Sequence, residues 1–258
     1  MSTFDQRRNE IMYDVERLAR IIGILQEKKS CSVRELSREL MFSEATIRRD
    51  LTLLAKQNKI VKTHGGAIIR ESFHSEVPYN IRSDRETEIK QALARAAARL
   101  IHNNMTIFLD ASSTVEYLVP YLEAFKDITV ITNNPDIPSK LASTSIQVYS
   151  TGGKYLHSSN SYVGEFARSM ISNVNADLLF FSARGVSTSG LVTISSTDDD
   201  IHRAMIKNSA RTCLMFDSSK YGKTYRFTVC ELSEVDILIT DSPLEDGPEH
   251  PNIIIADK

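Results

Sequence analysis

The sequence predicts an α/β protein made of a small winged helix-turn-helix domain and a larger, mainly parallel α/β domain. Before residue 60, apolar residues recur at helical spacing, and a short apolar pair then leads into a Gly-Gly dipeptide. After residue 100, short apolar runs recur with helical segments between most of them, which is typical of buried parallel strands. With 258 residues and 41% hydrophobic content, the chain can form a full core and a small second domain.

The first domain, residues 1–70, is predicted to contain three helices and a wing. A second helix over residues 33–40 and a turn at Met41-Phe42 precede the third helix. Ser43 is suited to cap that third helix, because its hydroxyl can accept a hydrogen bond from a free backbone N–H of the first turn. A strand at Ile60-Val61 adds the wing. The apolar stripes are Leu18, Ile21, Ile22 and Leu25 in the first helix and Ile47, Leu51 and Leu54 in the third.

The outward face of the third helix and the wing are predicted to contact DNA. Opposite its apolar stripe, the helix presents basic residues with small and hydroxylated residues between them. Arginine forks match the O6/N7 edge of guanine, whereas hydroxyls and lysine suit phosphate oxygens. An ordinary solvated amphipathic helix is the alternative, and it requires the helix, turn, cap and wing to coincide by accident. The candidate DNA-contacting residues are Ser43, Ala45, Thr46, Arg48, Arg49, Thr52, Lys56, His64, Gly65 and Gly66.

Three motifs in this domain resemble those of a known family. They are Val33-Arg-Glu-Leu-Ser, Ser43-x-x-Thr-Ile-Arg-Arg-Asp-Leu and His64-Gly-Gly-Ala. At this spacing they resemble the amino-terminal domain of the DeoR/GlpR family of bacterial sugar-operon repressors, and the resemblance covers residues from about 17 to 69. It implies operator DNA as a partner.

Charge is divided unevenly along the chain. The formal net charge is −2, but residues 1–75 hold 14 lysines and arginines against 10 acidic residues, whereas residues 76–258 hold 17 against 23. The amino-terminal excess of positive charge is modest for a DNA-binding domain. We therefore expect a homo-oligomer, a dimer or a tetramer, in which two or more copies share an operator.

Cysteine usage and hydropathy predict the compartment. Cys31, Cys213 and Cys230 are far apart and have no CxxC spacing, which argues against a disulfide framework or a zinc site. The chain shows no secretory signal and no apolar run of membrane-spanning length. We therefore expect a cytoplasmic protein with no membrane partner.

A linker is predicted over residues 71–84, because residues 73–80 break helical and strand periodicity alike. The second domain, residues 85–258, is predicted to begin with a helix over 86–101. The predicted strands of its sheet lie at residues 106–109, 128–131, 146–149, 178–181, 212–216 and 237–239.

Polar or small residues follow nearly every predicted strand. Ligands of parallel α/β sheets bind at the carboxyl ends of strands, and the turn at residues 110–114 offers hydroxyls and backbone N–H groups to an anion. Lys220 or Arg184 would neutralise a phosphate there. Taken singly, each loop is more often structural, with Asp110 as a helix cap and Lys220 as a solvated lysine. The candidate effector-binding residues are Asp110, Ser112, Ser113, Thr114, Asn133, Gly152, Gly153, Arg184, Asp198 and Lys220.

The family resemblance extends over this domain to about residue 243. It rests on motifs that include Asp110-x-x-Ser-Thr, Thr132-Asn-Asn and Asp217-x-Ser-Lys-x-Gly. It implies a sensor domain similar in fold to ribose-phosphate isomerases, which releases DNA when it binds a phosphorylated sugar. The chain departs from the family where Ser112-Ser113-Thr114 replaces Gly-Thr-Thr, His202 replaces lysine and Arg184 replaces a small residue. These departures favour an acidic or doubly anionic sugar phosphate.

Together these features predict a transcriptional repressor of a carbohydrate-utilisation operon, with no catalytic residue, metal or cofactor. The cluster of three aspartates at 198–200 with His202 fits a charged helix start better than a metal site. A sugar-phosphate isomerase with a DNA-binding appendage stays open as an alternative, with Asp110 or Asp198 as its base. Transcriptional activation also stays open.

Overall fold

A computed structural model of the chain describes residues 3–56, 59–69, 79–195, 200–245 and 247–257, with side chains in the first helix described from residue 16 onward. The chain divides into two compact units, Met1–Ile81 and Arg82–Lys258. No helix within the described ranges is long and apolar enough to cross a lipid bilayer.

The first unit packs three helices against a three-stranded antiparallel sheet with the order β1-β3-β2. Its apolar stripes meet in one core that includes Ile21, Leu36, Ile47 and Leu51, all buried. The three predicted helices and the predicted wing strand are present, and the first helix is longer than its apolar stripe. The elements are α1 (Thr3–Lys28), β1 (Ser30–Ser32), α2 (Val33–Leu40), α3 (Glu44–Lys56), β2 (Ile60–Lys62) and β3 (Gly66–Ile69).

Local hydrogen bonds and backbone conformation set the two ends of α2. A capping box opens α2, in which the Ser32 hydroxyl accepts from the Glu35 N–H and the Glu35 carboxylate accepts from the Ser32 N–H. Met41 then adopts a left-handed conformation with φ of 60° and ends the helix. The turn at Met41-Phe42 is therefore where the sequence predicted it.

The second unit is built from short helices and twelve strands within the described ranges. Helix α4 (Tyr79–Ser83) spans the boundary between the units. The helices after it are α5 (Thr87–Ala98), α6 (Ile137–Leu141), α7 (Glu165–Ser172) and α8 (Asp200–Lys207), with 3-10 segments at Val115–Ala124, Ser218–Lys220 and Leu232–Glu234. The strands are β4 (Thr106–Leu109), β5 (Thr129–Thr132), β6 (Gln147–Ser150), β7 (Lys154–Leu156), β8 (Ser161–Val163), β9 (Leu178–Phe181), β10 (Gly185–Val186), β11 (Leu191–Ile194), β12 (Thr212–Met215), β13 (Phe227–Glu231), β14 (Ile237–Thr240) and β15 (Ile253–Ile255).

Seven of these strands form a wholly parallel sheet with the order β15-β14-β12-β9-β4-β5-β6. Apolar clusters cover both of its faces, as a doubly covered parallel sheet requires. Because the strands run in one direction, the loops that follow β5, β4, β9 and β12 meet along one edge. This edge carries the candidate effector site.

The structure corrects the sequence analysis in three places. The predicted linker ends in a helix, α4, whose residues Tyr79 and Ile81 are buried; residues 70–78 lie outside the described ranges. The helix predicted over 86–101 stops at Ala98. Two small antiparallel sheets, β10-β11-β13 and β7-β8, were not predicted, since strands of two to five residues give little periodicity.

Candidate DNA-binding surface and effector site

The start of α3 has the geometry of a capped recognition helix. The Thr46 N–H donates to the Ser43 hydroxyl over 3.2 Å, and the two hydroxyl oxygens lie 2.9 Å apart. This satisfies one of the free N–H groups of the first turn. The Ser43 hydroxyl therefore caps the helix and also contacts the Thr46 hydroxyl.

The outward face of α3 is exposed, as the sequence predicted. Ala45, Arg48, Arg49, Thr52 and Lys56 are all solvent-exposed. The Arg48 guanidinium donates to the Glu44 carboxylate, one turn earlier in the helix, over 3.1 Å. On an exposed surface such an ion pair is weak, and Arg48 can easily exchange it for another anion. These side chains therefore lie on the surface of the first unit.

The wing supplies two further exposed groups and one structural glycine. His64 and Gly65 are exposed, and Lys62 donates to the Thr52 hydroxyl over 2.9 Å, which joins β2 to α3. Gly66 is buried instead, and a Cβ atom there would overlap the carbonyl oxygen of Cys31 in β1. Gly66 therefore serves the close approach of β3 to β1, and a DNA contact at this residue stays a prediction.

A buried ion pair that the sequence analysis missed holds α3 against α1. Arg17 donates to Asp50 twice, from Nε to Oδ2 over 2.6 Å and from Nη2 to Oδ1 over 3.1 Å. The side chains are only 6% and 4% exposed. The Arg17 guanidinium also lies 4.8 Å from the ring centroid of Phe42 in the turn. Asp50 directly follows Arg48 and Arg49, so the pair fixes how these arginines are presented.

In the second unit, Lys220 is the centre of the candidate effector site. Its Nζ atom donates to the Ser182 hydroxyl over 3.0 Å and to the Thr114 hydroxyl over 3.2 Å, and lies 3.5 Å from Asp217 Oδ2. These three partners come from the loops after β9, β4 and β12, which are adjacent strands. The structure thus brings together the predicted residues Thr114 and Lys220.

Asp110 connects the loops that form this site. Its Oδ1 accepts from the Ser112 N–H over 3.0 Å, and its Oδ2 accepts from the Ser182 N–H over 2.9 Å. The His202 Nε2 atom lies 3.3 Å from Oδ2. Asp110 is only 1% exposed. Asp110 therefore braces the loops after β4 and β9, and its role as a ligand for sugar hydroxyls stays a prediction.

Ser112, Ser113 and Asn133, which also lie in the loops after β4 and β5, differ in their hydrogen bonds. The Ser112 hydroxyl accepts from the Val115 N–H over 3.1 Å, and Ser113 is buried. Asn133 is 3% exposed, and its Nδ2 donates to the Tyr162 carbonyl over 3.2 Å. Among the residues described, its Oδ1 has no hydrogen-bond partner, so Asn133 retains an acceptor for a ligand.

Of the four other predicted effector residues, the two glycines have a local structural explanation. Gly152 and Gly153 have positive φ values of 60° and 111°, and a Cβ atom on Gly153 would lie 2.7 Å from the Val163 carbonyl oxygen. Both glycines are thus explained by the turn into β7. Asp198 lies outside the described residues, whereas the charge of half-buried Arg184 acts on Lys220.

Two buried charged groups, Lys220 and Asp217, dominate the electrostatics of the site. Burial lowers the pKa of the Lys220 ammonium, with Asp217 opposing that change and Arg184 reinforcing it. Burial alone would raise the pKa of Asp217, but Lys220 and a hydrogen bond from Ser219 outweigh it, and the net pKa is lowered. The site therefore holds an ionised carboxylate beside a cation that prefers an additional anion.

Lys90 in α5 is a further buried cation that the sequence analysis missed. It is 3% exposed. Burial, together with the charge of Lys220, lowers the pKa of its ammonium to about 7. A lysine on a helix ordinarily lies in solvent, so no pattern in the sequence distinguished this one.

Comparison with known families covers both units. The chain matches the DeoR-like helix-turn-helix domain over residues 17–73 and the DeoR C terminal sensor domain over residues 85–242. The chain belongs to the DeoR family. These matches and the observed architecture confirm the predicted family and fold class.

Relatives of this DeoR-family chain are transcriptional regulators. It is 35% identical over 235 residues to the HTH-type transcriptional regulator GolR of Listeria innocua, covering 90% of this chain and 92% of that protein. It is 30% identical over 234 residues to the glycerol-3-phosphate regulon repressor of Escherichia coli, covering 90% and 92%. The DeoR-family protein described here is accordingly a DNA-binding transcriptional regulator.

Among solved structures, a ribose-5-phosphate isomerase in complex with phospho-erythronic acid shows a partial overlap with the chain. The identity is 15%, the overlap covers 52% of this chain and 54% of that chain, and the TM-score is 0.40.

Proposed function

We propose that this DeoR-family regulator represses a carbohydrate-utilisation operon and leaves its operator when the second unit binds a phosphorylated sugar. The observation that carries the proposal is the Lys220 ammonium, which is held among the Thr114 and Ser182 hydroxyls at the carboxyl ends of adjacent strands. A cation beside hydroxyls and backbone N–H groups is suited to a phosphate group. The name of the Escherichia coli relative, a glycerol-3-phosphate regulon repressor, supports a phosphorylated effector.

The DNA half of the proposal rests on the exposed face of α3. Arg48 and Arg49 stand on that face with Thr52 and Lys56, beside the exposed wing residue His64. Arginines on a helix of this type read base edges in the major groove, while lysine and hydroxyl groups contact phosphates. Release by the effector requires that the effector binds the DNA-competent and DNA-incompetent states with different affinity.

Operator binding titrated with sugar phosphates tests the effector assignment. DNA fragments from upstream of the regulator's own gene and the neighbouring genes would be used in fluorescence anisotropy, with each sugar added in phosphorylated and unphosphorylated form. We expect one phosphorylated sugar to release the DNA and its unphosphorylated form to have little effect. Release by both forms alike, or by none of a broad panel, would reject the phosphosugar assignment.

A pair of lysine variants sharpens this test. Lys220→Ala should abolish release while leaving operator affinity nearly intact, because Lys220 lies in the sensor unit and not in the DNA-binding unit. Lys126→Ala is the matched control, since Lys126 is exposed at the amino ends of the strands, opposite the site. Equal responses of the two variants would remove Lys220 from the effector site.

We also infer that the regulator acts as a homo-oligomer, a dimer or a tetramer. The modest positive excess of residues 1–75 supports several copies on one operator. Light scattering of the free protein gives the number of subunits, and footprinting should show half-sites about one helical turn apart or a multiple of it. A monomer that binds a single, non-repeated site would contradict this inference.

The enzyme and activator alternatives are addressed by separate assays. Both oxygens of Asp110 accept backbone hydrogen bonds, which disfavours this carboxylate as a catalytic base, and Asp198 lies outside the described residues. We infer that the protein is not an enzyme, and turnover of an aldose or ketose phosphate by the purified protein would overturn that. Reporter expression that falls on deletion of the regulator gene would indicate activation instead of repression.

A further inference from the structure

Strand β6 is one outer edge of the parallel sheet, and β5 is the strand that pairs with it. The N–H groups of Gln147 and Thr151 donate to carbonyl oxygens of the β5 segment over 3.2 and 3.0 Å. Every second residue of β6 therefore directs its backbone groups toward β5, whereas Val148 and Ser150 direct theirs to the outer side. Within the described ranges, no hydrogen bond reaches the N–H or C=O groups of these two residues.

This edge lacks the features that usually protect an open strand. Proteins keep such edges from pairing with charged side chains, proline or a bulge. Strand β6 pairs with β5 in an unbroken register, and residues 141–153 include no charged residue and no proline. The opposite edge differs, because β15 has three residues and Asp257 follows it two positions later. The β6 edge is therefore the longer and less protected of the two.

The surface next to this edge has the composition of a protein–protein interface. Lys154 is the single charged residue in 141–164, although a quarter of the whole chain is charged. Tyr149 in β6 is 51% exposed, and Phe166, at the start of α7, is 82% exposed. A Cβ atom on Gly153 would lie 3.2 Å from the Ala167 Cβ atom, so α7 packs beside the turn that follows β6. Exposed aromatic residues and depletion of charge mark the centre of such interfaces.

We propose that β6 pairs with β6 of a second copy of this chain, antiparallel and about a two-fold axis that passes beside Tyr149. The inference rests on the proposed function, because it names the surface that joins the subunits of the homo-oligomer. Outward backbone groups of a strand are best matched by another strand, and a neutral strand can face its own copy without repulsion between like charges. Two-fold pairing also closes after two copies, whereas head-to-tail pairing would continue into a filament.

The outward residues define the register of this pairing. With Tyr149 at the axis, Val148 of each copy exchanges two backbone hydrogen bonds with Ser150 of the other. The two Tyr149 side chains then lie directly opposite each other, with Cβ atoms about 4.5–5.5 Å apart. A stable interface buries about 1,200–2,000 Å², which is more than four residues of strand provide. The exposed aromatic side chains beside the edge, Phe166 among them, are therefore expected to belong to the contact.

Sedimentation equilibrium of the full-length protein with charge variants at Tyr149 tests the inference. Tyr149→Glu and Tyr149→Lys each place like charges opposite each other, so either variant alone should associate about tenfold or more weakly than the wild type. An equimolar mixture of the two should recover most of the association, because glutamate then faces lysine. A role of Tyr149 in folding alone would give no recovery on mixing. Lys126→Glu, which changes an exposed charge at the amino ends of the strands, should match the wild type.

Crosslinking through Tyr149→Cys gives an independent measurement that does not depend on the charge variants. The three native cysteines are buried. Residues that face each other across antiparallel strands are close enough for a disulfide bond between cysteines. Mild oxidation should therefore convert Tyr149→Cys into covalent dimers on a denaturing gel, whereas Lys126→Cys should stay largely monomeric there.

The outcomes separate this inference from the proposed function. An oligomeric wild type whose association is unchanged in both charge variants, or whose Tyr149→Cys variant forms no covalent dimer, would overturn the β6 pairing and leave the homo-oligomer to another surface. A wild type that stays monomeric would overturn both the pairing and the homo-oligomer. The effector assignment fails separately, when no phosphorylated sugar releases the operator from a protein that is paired through β6.

Discussion

Asp50→Ala is expected to destabilise the amino-terminal unit strongly, although the residue has no contact with DNA in our proposal. Two hydrogen bonds, of 2.6 and 3.1 Å, tie its carboxylate to Arg17, and both side chains are almost fully buried. Truncation leaves the guanidinium buried without this counter-charge, which costs about 3–5 kcal/mol. A unit of this size has a free energy of unfolding of about 4–12 kcal/mol. The loss is therefore a quarter or more of its stability.

The measurement is urea unfolding followed by circular dichroism, together with operator affinity at matched salt. The control is the double variant Arg17→Met/Asp50→Leu, because replacing a buried ion pair by apolar residues is often neutral or stabilising. It should recover most of the unfolding free energy lost in Asp50→Ala. A change below about 1 kcal/mol in Asp50→Ala, or a double variant no more stable than the single one, would refute the reasoning.

The other predictions concern DNA contacts, the wing and the pH dependence of stability. Arg49→Ala should cost about 1–3 kcal/mol on the operator and relax sequence preference, whereas Lys56→Ala should weaken all DNA alike; anisotropy on operator and scrambled duplexes distinguishes them. Gly66→Ala should cost about 1–3 kcal/mol of unfolding free energy through overlap with a β1 carbonyl, and Gly65→Ala, which has open space, should cost less in the same urea assay. The pKa of Lys90 lies at about 7 in the folded protein against a usual 10.5, so the unfolded chain binds more protons between these values. Unfolding free energy should therefore rise from pH 7 to 10, by up to about 1.4 kcal/mol per pH unit, relative to Lys90→Met at each pH.

The helices of the first unit were predictable because their signals are local. Ile47, Leu51 and Leu54 lie within two turns of one another, and Ser43 caps the same helix. The Arg17–Asp50 pair was not predictable, because the partners are 33 residues apart and each alone has the appearance of a surface charge. Local periodicity therefore predicts the helices, whereas the contacts that hold them together depend on residues far apart in the sequence.

In the effector site, too, local motifs indicated some residues, whereas other roles depend on contacts between distant parts of the chain. Strand ends and the Asp-x-Ser-Lys motif indicated Lys220, since polar loops after buried strands converge in any parallel sheet. The contact of the Asp110 carboxylate with the Ser182 N–H was not predictable, because the two residues are 72 positions apart in the sequence. Lys90 was missed because burial of a lysine depends on the whole fold and leaves no local pattern.

The order of strands in the parallel sheet has a consequence for how the protein is made. During synthesis, β4, β5 and β6 are followed by β9, β12, β14 and β15, and each later strand adds at an outer edge of those already present. No strand has to be inserted between two that are paired, which limits trapped intermediates on the ribosome. Thr114, Ser182 and Lys220 emerge in that order, whereas β3, the last strand of the first unit, is already synthesised by residue 69. A growing chain thus carries the whole helical unit before its first sensor strand exists, and Lys220 is the last of the three site residues to be synthesised.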